Sequence, residues 1–253
     1  MHIAFVNKST LLTNDEVNLM AAFCQVGIED WAHAYEALVP VVNFVAGAIP
    51  ADAEPLYFFD NADAAGALGY HDLTPQGLPY AKVFVKLVLG DGGFKFIGPD
   101  PTDLTVETVL SVADHETKEM AGDPDVNVWC DGSIVDPKSG KKYASTCFEM
   151  ADAVQGNAYL AMLPNGQKGL LSDFLWPAWF NPKARKGSKF NHTGTLKKPF
   201  TVDKGGYAIV RNSLRGSAQI FGEEPAKMKY AWRVKATPHP ASRTAIRMKN
   251  DAE

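Results

Sequence analysis

The residues best able to do chemistry stand together in one short segment, because residues 115–119 read His-Glu-Thr-Lys-Glu. Residues four positions apart lie on one face of an α-helix, so His115 and Glu119 can point toward a single metal ion. Imidazole nitrogen and carboxylate oxygen both bind zinc, and a carboxylate in place of a second histidine also admits calcium, magnesium or manganese. Glu116, beside them on the helix, can act as a general base that takes a proton from water.

The same segment has a plainer interpretation, which is a turn of a surface helix that binds no metal. In that case Glu116 or Glu119 would pair with Lys118 or with another basic residue. Placement of the segment on an amphipathic helix, after a strong strand, adds support to the metal site, and the residues alone leave both interpretations open. Such a site also needs a third ligand, which must come from further along the chain.

The elements before this segment alternate in a way typical of a sheet with helices packed on it. Thr13 and Glu16 have capping-box spacing and are followed by apolar residues at helical intervals, which predicts a helix over about residues 14–36. Runs of β-branched and aromatic residues predict strands at residues 2–6, 41–45, 56–59 and 81–89. The last of these, Ala81 to Leu89, is expected to lie at the sheet edge, where it can pair with an extended substrate.

A second amphipathic helix is predicted to carry the His-Glu-x-x-Glu segment. It is expected to begin near Asp103 or Thr105 and to end at about Met120, just before a glycine and an Asp-Pro pair. The histidine and the two glutamates then lie in its last turn and a half. After this helix the chain loses its regular periodicity.

The segment extends into a longer pattern, because residues 115–129 read His-Glu-Thr-Lys-Glu-Met-Ala-Gly-Asp-Pro-Asp-Val-Asn-Val-Trp. This resembles the His-Glu-x-x-Glu-x-x-x-[Asp/Asn]-Pro-x-x-Asn-x-Trp stretch of zincin-like proteins encoded by tailed bacteriophages. Segments 69–72, 172–180 and 205–207 also look like the phage family. A more local resemblance, around residues 105–155, is to the phosphate-induced, EXORDIUM-like proteins of plants and bacteria. The resemblance implies a zincin-like fold, a metal and a phage origin.

In both families a Glu-x-x-Asp follows the helix, and here it matches Glu149 and Asp152. The resemblance implies that Glu149 completes the metal ligands with His115 and Glu119, and that Asp152 orients a ligand histidine through a hydrogen bond. The ion implied is one divalent metal, with zinc first and calcium or another divalent ion as alternatives. Further candidates for the metal are His71, His192, Asp123 and Asp125.

The predicted fold class is α+β. We expect a zincin-like, twisted mixed sheet with a backing helix and an active-site helix, followed by an irregular C-terminal part. Residues 1–155 are predicted to form the zincin-like metal-site region, residues 156–236 an irregular or β-containing part packed on it, and residues 237–253 a polar, basic tail.

Composition narrows the classes of partner. With 253 residues, 46% hydrophobic, and a net charge of −4, the chain has ordinary globular character that favours neither nucleic acid nor an anionic membrane. We expect no signal peptide and no transmembrane segment, and location in a phage virion or in the host cytoplasm. Three cysteines in this length do not indicate a disulfide scaffold.

Two functions are compatible with these residues. The first is a metallopeptidase-like hydrolase in which Glu116 is catalytic and the substrate is a peptide or protein. The second is a virion or assembly protein that keeps the fold, holds a structural ion or none, and associates with itself or with other phage structural proteins. A closed coordination shell or an incomplete ligand set would favour the second.

Overall fold

A mixed five-stranded sheet organises the N-terminal half of the protein. The computed structural model describes residues 1–64, 66–212 and 217–222, so the predicted basic tail lies outside the described residues. The strands are β1 (His2–Asn7), β2 (Val41–Phe44), β3 (Ala53–Phe59), β4 (Gly69–Leu73) and β5 (Pro79–Phe84). Their order is β2-β1-β3-β5-β4, and every neighbouring pair is parallel except β4 with β5. The predicted α+β class is therefore confirmed for the described residues.

Three helices accompany this sheet: α1 (Asn14–Tyr35), α2 (Val85–Gly90) and α3 (Val109–Gly122). Alternate residues of the central strands share one hydrophobic cluster with α1 and α3, so both long helices pack on the same sheet face. None of the described helices is long and apolar enough to cross a membrane.

The start of α1 is set by local chemistry, as the sequence predicted. The hydroxyl of Thr13 accepts the backbone N–H of Glu16 at 3.1 Å, and the Glu16 carboxylate accepts the N–H of Thr13 at 2.8 Å. These reciprocal bonds satisfy two N–H groups that a helix start leaves open. Lys95 also donates to Glu16 at 2.7 Å, which fixes the helix start against the chain that leads into α3.

The predicted strand over residues 81–89 is only half correct. Residues 81–84 belong to β5 and pair with residues 56–59 of β3, and the pairing stops where β3 ends. The chain then turns into α2, with the N–H of Lys86 donating to the carbonyl of Asp60 at 3.1 Å. Moreover, β5 lies between β3 and β4, so the predicted edge position is wrong and a substrate cannot add to this strand.

Helix α3 begins later than the predicted start at Asp103 or Thr105. Its N-cap is Thr108, whose hydroxyl accepts the N–H of Ser111 at 2.8 Å, while the Ser111 hydroxyl accepts the N–H of Thr108 at 3.0 Å. Asp103 instead closes a local turn by accepting the N–H of Thr105 at 3.0 Å. Asp103 and Thr108 are both residue types that can cap a helix. The start of α3 is at Thr108 because the side chain of Asp103 is used in its own local turn.

The chain after α3 is more regular than expected and covers the other side of that helix. Strands β6 (Trp129–Val135), β7 (Lys142–Cys147), β10 (Tyr207–Arg211) and β11 (Ser217–Phe221) form a sheet in the order β11-β10-β7-β6. Strands β8 (Ala158–Met162) and β9 (Lys168–Ser172) form a hairpin, and two 3-10 helices span Asp152–Val154 and Pro177–Phe180. A single hydrophobic cluster runs from Ile3 to Ile220, so both regions share one core.

Candidate metal centre

Helix α3 is buried around its whole circumference, which bears directly on the surface-turn interpretation of its charged segment. Every residue from Val109 to Met120 is buried, including His115 at 3% exposure, Glu116 at 0% and Glu119 at 1%. The surface-turn interpretation is therefore wrong. Buried carboxylates are stable only when paired, hydrogen-bonded or bound to a metal, so their partners are what matters.

A first set of potential ligands joins His115, Glu119 and Asp152. Nε2 of His115 lies 3.1 Å from Oε1 of Glu119 and 3.3 Å from Oδ1 of Asp152. These atoms lie within 4.8 Å of one another. Ligand atoms bound to a tetrahedral zinc at 2.0–2.2 Å would stand about 3.3–3.6 Å apart, so the spacing suits one small divalent ion.

A second set contains His71, Glu116 and Glu119. Nδ1 of His71 lies 3.4 Å from Oε2 of Glu119 and 3.7 Å from Oε2 of Glu116. His71 comes from β4, at the end of the sheet, and is 7% exposed. The sequence offered His71 only as an alternative third ligand, whereas the structure brings it to both glutamates.

Gly69 explains how β4 comes so close to α3. Gly69 and His71 are two residues apart and therefore share a face of the strand. A Cβ at Gly69 would stand 2.8 Å from Cγ1 of Val112 and 2.9 Å from Oε1 of Glu116. The close approach of strand to helix needs the missing side chain, and a Gly-x-His pair on a strand is the sequence signal that was available for this contact.

Asp152, which was predicted to orient a ligand histidine, lies 3.3 Å from Nε2 of His115 and belongs to a potential ligand set itself. Within the described part of the chain, Glu149 belongs to neither ligand set, whereas Asp152 belongs to the first. Glu149 forms a side-chain hydrogen bond with Asp152. The assignment of Glu149 as third ligand stays a prediction, and the geometry makes Asp152 the better candidate with Glu149 as the residue that orients it.

The electrostatics of the two sets show strong mutual interaction. Burial opposes the charged form of Glu119, but His115 and His71 outweigh it and hold the pKa of that carboxyl well below its usual value. Burial also opposes the imidazolium of His71, yet hydrogen bonds with Glu116 and Glu119 raise its pKa to about 10. Burial and then the charges of Glu119 and Glu149 raise the pKa of Asp152 well above its usual value. Positive charge at this position would relieve the repulsion among the carboxylates.

Lys118 does not pair with either glutamate of the motif. Its ammonium group is completely buried, forms a salt bridge with Asp114 and donates to the carbonyl of Ser172 at 2.8 Å. The rings of Tyr159 and Phe174 lie 5.1 and 4.8 Å away, at cation–π distance. This i, i+4 pair faces the β8–β9 hairpin and leaves the other face of α3 to the metal-ligand candidates. The i, i+4 spacing of Asp114 and Lys118 was the signal in the sequence that could have identified this ion pair.

The remaining candidates have other roles in the structure. His192 stacks between Tyr159 and Phe174, with ring centroids 4.4 and 4.9 Å away. Asp123 closes the turn after α3 by accepting the N–H of Asn127 at 3.1 Å and of Val128 at 2.9 Å. Among the described residues, neither belongs to a group able to hold a metal.

A cavity of about 350 Å³ reaches the site through His115. Its walls come from the first half of α3, from residues 104–107 and from residues 155–158. This is the size range of small-ligand pockets, which also tend to be largely apolar with a few polar groups. The cavity gives the first ligand set a route by which a small group could approach.

The donor set fits a divalent metal. Two histidines and three carboxylates converge in a volume from which water is largely excluded, and nitrogen with oxygen ligands suits zinc or manganese. In comparisons with protein-family models, with curated proteins and with solved structures, no match to this chain was found.

Proposed function

We propose that this protein is a metal-dependent hydrolase of peptide or similar amide bonds. The observation that carries the proposal is the buried convergence of His115, Glu119 and Asp152 beside a cavity that His115 lines. The ion proposed is divalent, with zinc first and calcium or another divalent ion as alternatives. A bound ion supplies Lewis-acid chemistry and lowers the pKa of a water molecule.

The chain's own residues supply the rest of the proposed chemistry. Glu116 follows His115 directly, and its carboxylate is the group proposed to accept a proton from water and return it to the leaving amine. The i, i+4 geometry of His115 and Glu119 orients both toward the same point. Asp152, at the start of a 3-10 helix, adds a ligand from the opposite side, and its hydrogen bond with Glu149 limits its rotation.

The zincin-like assignment belongs to the same proposal. It is supported by the parallel sheet with one antiparallel end strand, by α1 as the backing helix, and by α3 carrying His-Glu-x-x-Glu beneath that end strand. The sequence resemblance of residues 115–129 and of segments 69–72, 172–180 and 205–207 supports a phage origin, with action in the virion or the host cytoplasm. A peptide or protein substrate is proposed, bound at the cavity rather than along β5.

A second function, a virion or assembly protein with a structural ion, is favoured by the depth of the site. The ligand candidates of the first set are at most 3% exposed, as in a closed structural centre. Such a protein would use the ion to hold α3 to residue 152 and would associate with itself or with other phage proteins. The two functions differ in whether a peptide reaches the ion.

Elemental analysis of protein purified without chelator tests whether the chain binds the divalent ion that the hydrolase and the structural-ion proposals share. We expect bound divalent metal in the wild type and its loss in Glu119→Ala, while His33→Ala, at an exposed position of α1, retains it. Absence of metal, with no uptake on titration with zinc, would refute the metal centre. A peptide-library digestion by the metal-loaded protein then separates the functions, because only the hydrolase releases fragments that a chelator abolishes.

A further inference from the structure

The carboxylate of Glu119 is divided between two histidines on different elements. Oε1 lies 3.1 Å from Nε2 of His115, on α3 itself, and Oε2 lies 3.4 Å from Nδ1 of His71, on β4. The two potential ligand sets share Glu119 and no other residue, and the two histidines fall in different sets. A carboxylate with one oxygen toward each set has the geometry of a bridging ligand.

We infer that the site holds two divalent ions, bridged by Glu119. The first is bound by His115 and Asp152, and the second by His71 and Glu116. Bridged pairs of this kind stand about 3.5–4 Å apart in known two-metal sites. This inference goes beyond the proposed function, which needs only the ion at His115 and Asp152.

The second set places a buried imidazole ring against two buried carboxylates. Nε2 of His71 is buried and has no hydrogen-bond partner among the described residues. A metal bound at Nδ1 would leave Nε2 unpaired as well, so the support for the second ion is the approach of Nδ1 to both carboxylates, at 3.4 and 3.7 Å.

The buried carboxylates of the two sets need positive charge nearby. The carboxylates of Glu116, Glu119 and Asp152 are almost completely buried, and Glu149 is hydrogen-bonded to Asp152. When Glu116, Glu119 and Asp152 are all ionised, their formal charge exceeds that of one divalent cation. The buried ammonium of Lys118 does not contribute to this balance, because its salt bridge is with Asp114.

The second ion does not remove Glu116 from the proposed chemistry. Its Oε2 is the oxygen close to His71, whereas Oε1 points toward Gly69. Ligation through one oxygen leaves the other as a proton acceptor. The pair of ions therefore adds a second Lewis acid to the site without changing the proposed base.

Titration of the metal-free protein with Mn²⁺ tests the inference, with bound ion counted by elemental analysis and the spin state followed by electron paramagnetic resonance. We expect two Mn²⁺ per chain and a spectrum of exchange-coupled ions, because a bridging carboxylate couples neighbouring spins. His71→Asn should bind one Mn²⁺ with an uncoupled spectrum, Glu119→Ala should bind none, and His33→Asn should match the wild type.

The wild-type spectrum keeps the test decisive even if His71→Asn fails to fold. A single, uncoupled Mn²⁺ per wild-type chain, at saturating concentration, would overturn the second ion and leave the proposed one-ion function standing. A chain that binds no Mn²⁺ and no Zn²⁺ would overturn both. Two uncoupled ions would also contradict the inference, because the second would then lie away from Glu119.

Discussion

His71 and Glu119 meet across two elements: Nδ1 of the histidine, on β4, lies 3.4 Å from Oε2 of the glutamate, on α3. The two residues are 48 positions apart in the sequence. Their contact ties the end strand of the sheet to the helix that carries the motif. A disturbance of the β4–α3 packing should therefore change metal binding as well as stability.

Gly69→Ala tests that packing directly. The new Cβ would lie 2.8 Å from Cγ1 of Val112 and 2.9 Å from the carbonyl of Lys82, so β4 must shift away from α3. We expect a loss of about 1–3 kcal/mol in the free energy of unfolding, typical of overpacking, together with weaker metal binding. Denaturant unfolding and metal titration measure both. Gly47→Ala is the matched control, because a Cβ there meets nothing within 4 Å.

Removing only one partner of the buried Asp114–Lys118 ion pair of α3 should strongly destabilise the protein. Lys118→Met leaves the Asp114 carboxylate buried without its counter-ion, and we expect a loss of about 3–5 kcal/mol. Adding Asp114→Asn removes the charge and keeps an acceptor for the N–H of Ser172, so the double variant should recover much of the loss. Equal stability of Lys118→Met and the wild type in urea would show that the pair contributes nothing.

Glu116→Gln and Glu119→Ala should separate chemistry from metal binding. If the protein is a hydrolase, Glu116→Gln should lower turnover about 10²–10⁴-fold, because an amide cannot take the proton from water. The ion at His115 and Asp152 should remain bound in that variant. Glu119→Ala should instead lose metal and stability together. Full activity or infectivity of Glu116→Gln, with loss in Glu119→Ala, would assign the metal to structure alone.

His192 should make stability depend on pH. Burial is the main cause that lowers the pKa of His192 from 6.5 to about 4. Repulsion from Lys189 and Lys118 acts in the same direction, and the negative charge of Asp30 acts against it. Above pH 6.5 the imidazole is neutral in both the folded and the unfolded state, so His192 does not reduce the free energy of unfolding there. As pH falls from about 6.5 to about 4, the unfolded chain takes up a proton that the folded chain refuses, so stability decreases.

The comparison with His192→Phe isolates this contribution. Phenylalanine preserves the ring stack with Tyr159 and Phe174 but cannot bind a proton. The difference in unfolding free energy between wild type and variant should therefore change between pH 6.5 and 4 and become constant outside that range. Unfolding curves in urea at a series of pH values provide the measurement. A pH-independent difference would contradict the low pKa of His192.

The sequence by itself determined the features that depend on neighbours within a few residues. The capping box of Thr13 and Glu16 fixed the start of α1, and the i, i+4 spacing of His115 and Glu119 placed both on one face of α3. Capping bonds and helical periodicity act over one turn, so residue types and their spacing are enough to predict them.

Only the tertiary structure decided which distant residues lie beside His115 and Glu119, and where some elements end. His71 reaches Glu116 and Glu119 because β4 pairs antiparallel with β5 beside α3, and Asp152 reaches His115 because the chain returns after β7. The strand predicted over residues 81–89 divides into β5 and α2 because its partner β3 ends. These outcomes depend on strand pairing and packing between segments tens of residues apart, and local propensity does not contain that information.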